Sequence, residues 1–234
     1  VISFGTPVVF ETAQTKSTVI TFDSNANKVV ISYIDAANSH YGTSIVGTVS
    51  GTAISFGTAA VYNSAYTTYT STTFDSNANK VVVAYQIYNG SGTAIVGTVS
   101  GTSISFGSAT AFESATGGAA YTSATFDSNA NKVVIGYKFV GSHPYNSPAQ
   151  YGFAIVGTVS GTSISFGSRV QFNAVSSHTD NVLVFDSNAN KVVFGHKNNT
   201  RQGKAVVGTV SGTSISFGST VLYDDNTSGA PGVS

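Results

Sequence analysis

The residues that could bind a ligand are aromatic and neutral polar side chains in segments whose length varies along an otherwise repetitive chain. Such side chains suit sugar or peptide surfaces, because a flat ring covers apolar C–H patches while hydroxyl and amide groups form hydrogen bonds. For each residue, a purely structural role remains the alternative. The predicted ligand-binding residues are His40, Tyr41, Tyr66, Tyr88, Phe139, His143, Tyr145, Tyr151, His178, Asp180 and Arg201.

Catalytic patterns are nearly missing from the sequence. His178 and Asp180 are the only near pairing of a base with an acid in the variable segments. Few carboxylates are available for the two-carboxylate chemistry of glycoside hydrolysis. The sequence contains neither Gly-x-Ser-x-Gly nor His-Glu-x-x-His. We therefore predict no enzymatic activity, with a glycosidase-like enzyme as the remaining alternative.

A calcium site is the other chemistry that the sequence suggests. Asp23, Asn25 and Asn27 place oxygen atoms at positions one, three and five, as a calcium loop does. Lys28 occupies position six, where such a loop needs glycine, and no carboxylate closes the site. We predict that Asp23 accepts backbone amide bonds in a turn, and we predict neither a metal nor a cofactor.

The elements that position these residues lie in segments of sequence that repeat along the chain. The segment FDSNANKVV begins at Phe22, Phe74, Phe126 and Phe185, at intervals of 52, 52 and 59 residues. A second segment, ISFG, occurs five times, so the chain begins partway through a repeat. No Met is present, and we expect a processed product or a piece of a longer polypeptide.

Four stretches in each repeat have the alternating apolar pattern of β-strands and are bounded by Gly, Asn and Ser. Four antiparallel strands in about 50 residues are the content of one β-propeller blade. We predict an all-β propeller, with a β-solenoid as the alternative. The predicted parts are an extra fourth-type strand and link (1–16), modules 1 to 4 (17–68, 69–120, 121–179 and 180–224) and a C-terminal tail (225–234). Whether four blades close a ring or form an arc of a larger one stays open.

The connections between strands two and three, and between strand four and the next module, vary in length, whereas both hairpins are constant. In a four-stranded meander the variable connections share one end of the sheet. Loops held on a rigid scaffold commonly carry binding. The insertion 141–151, which Pro144 and Pro148 stiffen, is the best single candidate for a contact loop.

Composition excludes several classes of partner. Ten basic and ten acidic residues give a formal net charge of zero. No basic patch is available to neutralise phosphates, so we predict no nucleic-acid partner. No apolar run is long enough to span a membrane, and we predict no membrane insertion. The absence of Cys removes disulfides and thiolate chemistry.

The full pattern, FDSNANKVV followed by AIVGTVSGTSISFGS, resembles tandem repeats in proteins of marine phages, including those infecting cyanobacteria, and of ocean environmental sequences. The first hairpin looks more distantly like that of sialidase-type propeller blades, but the Asp-box and the arginine cluster of that family are missing. The resemblance implies a propeller at a virion or cell surface and transfers no catalytic residue.

We therefore expect a non-catalytic recognition module of a phage tail-fibre, receptor-binding or adhesin-type protein, with a cell-surface glycan or surface protein as its partner. The alternative is a structural virion or cell-surface module without a ligand. A homo-oligomer, or further blades of the same longer chain, are the expected assembly partners.

Overall fold

The computed structural model describes residues 4–114, 118–140, 151–173, 179–197 and 202–224, with the backbone alone at 179 and 180. All regular structure in these ranges is antiparallel β-sheet, as predicted. Modules 1 and 2 contain Thr15–Asp23 (β1), Lys28–Asp35 (β2), Tyr41–Ser50 (β3), Ala53–Phe56 (β4), Ala60–Asp75 (β5), Lys80–Ile87 (β6), Gly92–Ser100 (β7), Ser103–Phe106 (β8) and Thr110–Glu113 (β9). Modules 3 and 4 contain Ala120–Asp127 (β10), Lys132–Phe139 (β11), Tyr151–Ser160 (β12), Ser163–Phe166 (β13), Val170–Asn173 (β14), Thr179–Asp186 (β15), Lys191–Lys197 (β16), Gly203–Ser211 (β17), Ser214–Phe217 (β18) and Val221–Asp224 (β19).

Each module is a meander in which the fourth strand is broken into two pieces. In module 3, β12 pairs with β11 on one side and with both β13 and β14 on the other. The residues between the two pieces begin with Gly167, whose N–H donates to the Val156 carbonyl at 3.0 Å. In module 1 the second piece is the start of β5, which continues into module 2 as its first strand.

The described strands form three sheets, and they do not form a closed propeller. One sheet has nine strands because β5 joins modules 1 and 2, and modules 3 and 4 form sheets of five strands each. Successive modules pack through their first strands, β1 on β5, β5 on β10 and β10 on β15. The predicted extra N-terminal strand is also wrong, since residues 4–14 contain no strand. The segment packs on module 1 through side chains instead, since the Phe10 ring lies 5.3 Å from the Tyr33 ring and 5.9 Å from the Phe56 ring between centroids.

The first hairpin of each module is fixed by its aspartate, as predicted. Asp75 Oδ1 accepts the backbone N–H groups of Asn77 at 2.9 Å and Ala78 at 2.8 Å. Asn79, which ends the turn, has a φ of 54°, a left-handed conformation that Asn tolerates. The same bonds recur at Asp23, Asp127 and Asp186.

Both faces of the inner strands of modules 2 and 3 are buried because each of these two modules lies between two others. We call the face that carries the Phe of FDSNANKVV the upstream face and the opposite one the downstream face. Val30 and Val46, on the downstream face of module 1, pack against Phe74 and Val83, on the upstream face of module 2. The junctions between modules 2 and 3 and between modules 3 and 4 are built in the same way.

Glycines in the third strands serve packing within a module. A Cβ at Gly97 would lie 2.7 Å from Ile104 Cδ1 and 3.0 Å from Phe106 Cε1, both in β8 of the same module. Gly47, Gly157 and Gly208 face the equivalent side chains of their own modules. The third-strand glycines therefore make room for the Ile and Phe of ISFG.

Buried tyrosines predict that the protein loses stability in alkali. Burial raises the pKa of Tyr85 from its ordinary 10.0 to about 12. The folded state therefore keeps this proton to a higher pH than the unfolded chain, so stability is complete below pH 10 and falls above it. The loss from Tyr85 is about 1.4 kcal/mol per pH unit up to about pH 12. Urea unfolding measured from pH 8 to 12 tests this expectation, and Tyr85→Phe should reduce the slope.

Candidate ligand-binding surface

The variable connections lie together at one end of each module. At the other end, which we call the hairpin end, Asp23 pairs with Lys28 and Ser50 with Ala53. At the connection end, Tyr41 at the start of β3 pairs with Tyr66, where β5 passes from module 1 to module 2. The predicted separation of constant hairpins from variable connections is therefore confirmed.

A bulge in the first strand shapes the connection end. The pairing register between the first two strands shifts after Lys16, after Thr68 and after Ala120. The next residues, Ser17, Tyr69 and Tyr121, have φ values of 46°, 52° and 51°. Residues other than glycine rarely adopt this left-handed conformation, and bulky ones such as tyrosine even less. The conformation nevertheless recurs at the same position of three modules. Bulges of this kind re-aim a side chain next to binding sites.

Two neighbouring cavities lie beside these bulges. The first, of about 230 Å³, lies between modules 1 and 2, and the second, of about 270 Å³, lies between modules 2 and 3. Thr68 and Tyr69 line both cavities, so the two are adjacent. The first is also lined by Lys16, Ser17, Ile34, His40, Tyr66 and Thr67, and the second by Gln86, Tyr88, Asn89, Ala120, Tyr121, Lys138 and Val140.

A row of three rings in contact runs along the cavities. The His40 ring lies parallel to the Tyr66 ring, with centroids 4.3 Å apart and an angle of 7° between the planes. The Tyr88 ring lies 4.7 Å from Tyr66 on a 41° tilt. The backbone fixes this row, because the Tyr88 N–H donates to the Tyr66 carbonyl at 2.8 Å. The side chain of Tyr88 is 55% exposed, which leaves ring surface available to a ligand.

A second ring pair forms the wall of the larger cavity. Tyr69 and Tyr121 have centroids 4.9 Å apart, and the Lys138 ammonium lies 5.4 Å from the Tyr121 centroid. Burial, followed by the charge of Tyr121, raises the pKa of the Tyr69 hydroxyl. The Tyr69 hydroxyl is therefore neutral at physiological pH and can donate as well as accept hydrogen bonds.

Polar groups complete the cavities without any carboxylate. The Thr68 hydroxyl donates to Gln86 Oε1 at 3.0 Å, and Lys16 Nζ lies 3.2 Å from His40 Nε2. None of the lining residues is Asp or Glu. Among the residues that the structure describes, no group of three or more His, Asp or Glu could hold a metal ion. The chemistry available here is ring contact and hydrogen bonding, with one lysine in the lining of each cavity.

The structure brings together only part of the predicted residue set. His40, Tyr66 and Tyr88 form the ring row, and half-buried Tyr41 lies beside it through its pairing with Tyr66. Tyr151, also half-buried, begins β12 opposite Phe139. The backbone of Asp180 lies in β15, at the position that corresponds to Tyr121. His143, Tyr145, His178 and Arg201 lie outside the described residues, as does most of the insertion 141–151.

Phe139 is a poor candidate for ligand contact because it is buried. Its ring packs against Phe153 with a centroid distance of 5.9 Å, and the Arg169 guanidinium lies 4.7 Å from its centroid. Phe139 belongs to the core between modules 2 and 3, and the exposed Arg169 covers its ring. We therefore leave Phe139 out of the candidate site.

The predicted ligand-binding set does not include Tyr69, Tyr121, Gln86 and Lys138. A signal was present, since Ser17, Tyr69 and Tyr121 all lie five residues before the Phe of FDSNANKVV. The bulge turns this position toward the cavity, and the alternation of apolar and polar residues along the strand does not reveal it. The pairing register of the first two strands must therefore be known before Tyr69 and Tyr121 can be assigned to the candidate site.

Comparison with known proteins adds no family to these observations. No model of a known protein family matches the chain, and no curated protein matches it either. The described residues contain no helix long and apolar enough to cross a membrane. A function must therefore be argued from the ring row and the two cavities.

Proposed function

We propose that this chain is a non-catalytic carbohydrate-recognition module that binds a surface glycan at its connection end. The observation that carries the proposal is the exposed ring row His40, Tyr66 and Tyr88 beside two cavities that share Tyr69. Aromatic rings bind the apolar C–H faces of sugars, and the neighbouring hydroxyl and amide groups suit the sugar hydroxyls.

The size of the cavities favours an extended ligand. At about 230 and 270 Å³, each is smaller than the roughly 300 to 1,000 Å³ typical of enclosed small-molecule sites. An oligosaccharide that crosses Tyr69 would occupy both. Each cavity also has one lysine in its lining, Lys16 in the first and Lys138 in the second, which can donate hydrogen bonds to sugar oxygens.

We further propose that the modules are blades of a propeller-like arrangement in a receptor-binding, tail-fibre or adhesin-type protein, located at a virion or cell surface. The packing of successive first strands on each other supports the arrangement. The likeness to marine phage repeats supports the location.

Glycan-array binding tests the function. The wild-type chain is expected to bind a subset of oligosaccharides, and Tyr88→Ala to weaken that binding at least about tenfold, equivalent to about 1.4 kcal/mol. Since Tyr88 is exposed, the substitution should leave the melting temperature nearly unchanged. Val49→Ala, at an exposed position near the hairpin end, is the matched control and should bind as wild type.

Two results would contradict the proposal. One is a wild-type chain that binds nothing on a broad array, which would favour a structural module without a ligand. The other is binding that Tyr88→Ala leaves unchanged, which would place recognition elsewhere on the chain.

A further inference from the structure

The downstream face of module 4 exposes side chains that every inner module buries. Val207 is 44% exposed, whereas Val46, Val96 and Val156 at the same position are fully buried. Tyr223 is 65% exposed, although its equivalents Tyr62, Phe112 and Phe172 are buried. Val182, Gly195, His196, Lys197 and Tyr223 line a cavity of about 290 Å³ on this face. The face is apolar because it has the residues of an internal junction.

The complementary face is exposed at the other end of the molecule. Phe22, on the upstream face of module 1, is 54% exposed, whereas its equivalent Phe74 is buried under module 1. Ile20, on the same face, is also exposed. One chain therefore carries both halves of a junction that it forms internally three times.

The internal junctions show how closely the two halves fit. The Ala124 N–H donates to Ser71 Oγ at 2.9 Å, and the Leu183 N–H donates to Ser123 Oγ at 3.1 Å, each across a junction. At each junction, the glycine of ISFG also lies against the hairpin that joins the third and fourth strands of the following module. A Cβ built on this glycine would lie 1.9 to 2.0 Å from the carbonyl oxygen of a threonine in that hairpin. The facing pairs are Gly57 with Thr102, Gly107 with Thr162, and Gly167 with Thr213.

Gly218 is the same glycine in module 4, and among the described residues no hairpin lies against it. The nearest atom to a Cβ built there is the Val207 carbonyl oxygen at 3.9 Å. We propose that the downstream face of module 4 binds the upstream face of module 1 of a second copy of this chain, with Gly218 against the Thr52 hairpin of that copy. The association is head to tail, so it closes into a ring or extends into a chain of copies.

Residues 4–11 occupy part of the surface that the second copy needs. Phe10 covers Tyr33 with centroids 5.3 Å apart, as Tyr62 covers Tyr85 at 5.1 Å, and a Cβ at Gly5 would meet the Thr52 carbonyl oxygen at 1.9 Å. The segment thus imitates the fourth strand of a preceding module. It forms no strand, whereas β18 and β19 are paired with β17, so the segment is displaced when the copies associate.

Analytical ultracentrifugation of three variants tests the proposal. Removing residues 1–12 should strengthen self-association at least about tenfold relative to the full chain. Gly218→Val in the full chain and in the shortened chain should abolish it, because the valine side chain would strike the partner's hairpin. The same substitution should leave the melting temperature of the dilute monomer unchanged, since its site is open. If the shortened chain does not fold, Gly5→Val, which ejects the segment from Thr52, replaces it.

The proposal is overturned if the shortened chain, or its Gly5→Val replacement, stays monomeric up to millimolar concentration. Association that Gly218→Val leaves unchanged would overturn it as well, since another surface would then be in use. Gly218 lies outside both cavities of the connection end. Glycan binding by Gly218→Val therefore reports on the proposed function independently.

Discussion

Gly107→Ala is expected to lower the free energy of unfolding by about 3 kcal/mol. The added methyl group would lie 2.0 Å from the Thr162 carbonyl oxygen, and the neighbour is backbone in a tight hairpin rather than a flexible side chain. Forcing atoms into a well-packed junction costs about 1 to 3 kcal/mol and sometimes more. Urea denaturation followed by circular dichroism measures the change.

Gly218→Ala is the matched control for this junction. It lies at the same position of the repeat, but it has open space around it, so the expected change is within about 0.5 kcal/mol in dilute solution. Equal destabilisation by both substitutions would contradict the junction, because it would assign the effect to the local backbone. A neutral Gly107→Ala would show that modules 2 and 3 do not pack as described.

Glu113→Ala should destabilise the protein by about 2 to 3 kcal/mol. Glu113 is buried in the core between modules 2 and 3, where Oε2 accepts the Tyr137 hydroxyl at 3.1 Å and pairs with Arg169. Arg169 also lies 4.6 Å from the Phe153 ring centroid. Removing the carboxylate leaves a buried hydroxyl without this acceptor and a guanidinium without this counter-ion. Thermal and urea unfolding of the variant measure the loss.

Glu11→Ala provides the comparison for Glu113→Ala. Glu11 has the same position relative to the ISFG repeat as Glu113. The Tyr33 hydroxyl donates to Glu11 Oε2 at 3.4 Å, and the described residues show no salt bridge to Glu11. The expected loss is below about 1 kcal/mol. If Glu11→Ala cost as much as Glu113→Ala, the Arg169 pair would contribute nothing, and the cluster would not be what holds modules 2 and 3 together.

The repeated part of the fold could be predicted from the sequence because its signals are local. Asp and Asn in FDSNANK determine the first hairpin, and the predicted bonds to Asp75 are present. Alternating apolar residues located the second and third strands within a few residues of their observed bounds. The separation of hairpins from connections followed from antiparallel pairing alone. His40, Tyr66 and Tyr88 were recognised because their connections vary.

The remaining features depend on neighbours rather than on local pattern. The fourth strand breaks after Phe56, yet both pieces pair with β3. The bulge at Tyr69 is a register shift, which no alternation of residue types records. Ring closure depends on the small angle between successive modules, which sequence does not specify. Phe139 looked like a surface aromatic because it ends a strand, but the packing of Arg169 and Phe153 around it makes it core.

We propose that a glycan binds at the connection end, across the cavities that share Tyr69. A crystal structure of the chain with the oligosaccharide that ranks highest on the array tests it most directly. We predict sugar rings against Tyr66 and Tyr88, with hydrogen bonds to groups that line the second cavity, such as Asn89 and Gln86. An oligosaccharide bound instead at the Asp23 hairpin end, or on the exposed face around Val207, would contradict the account.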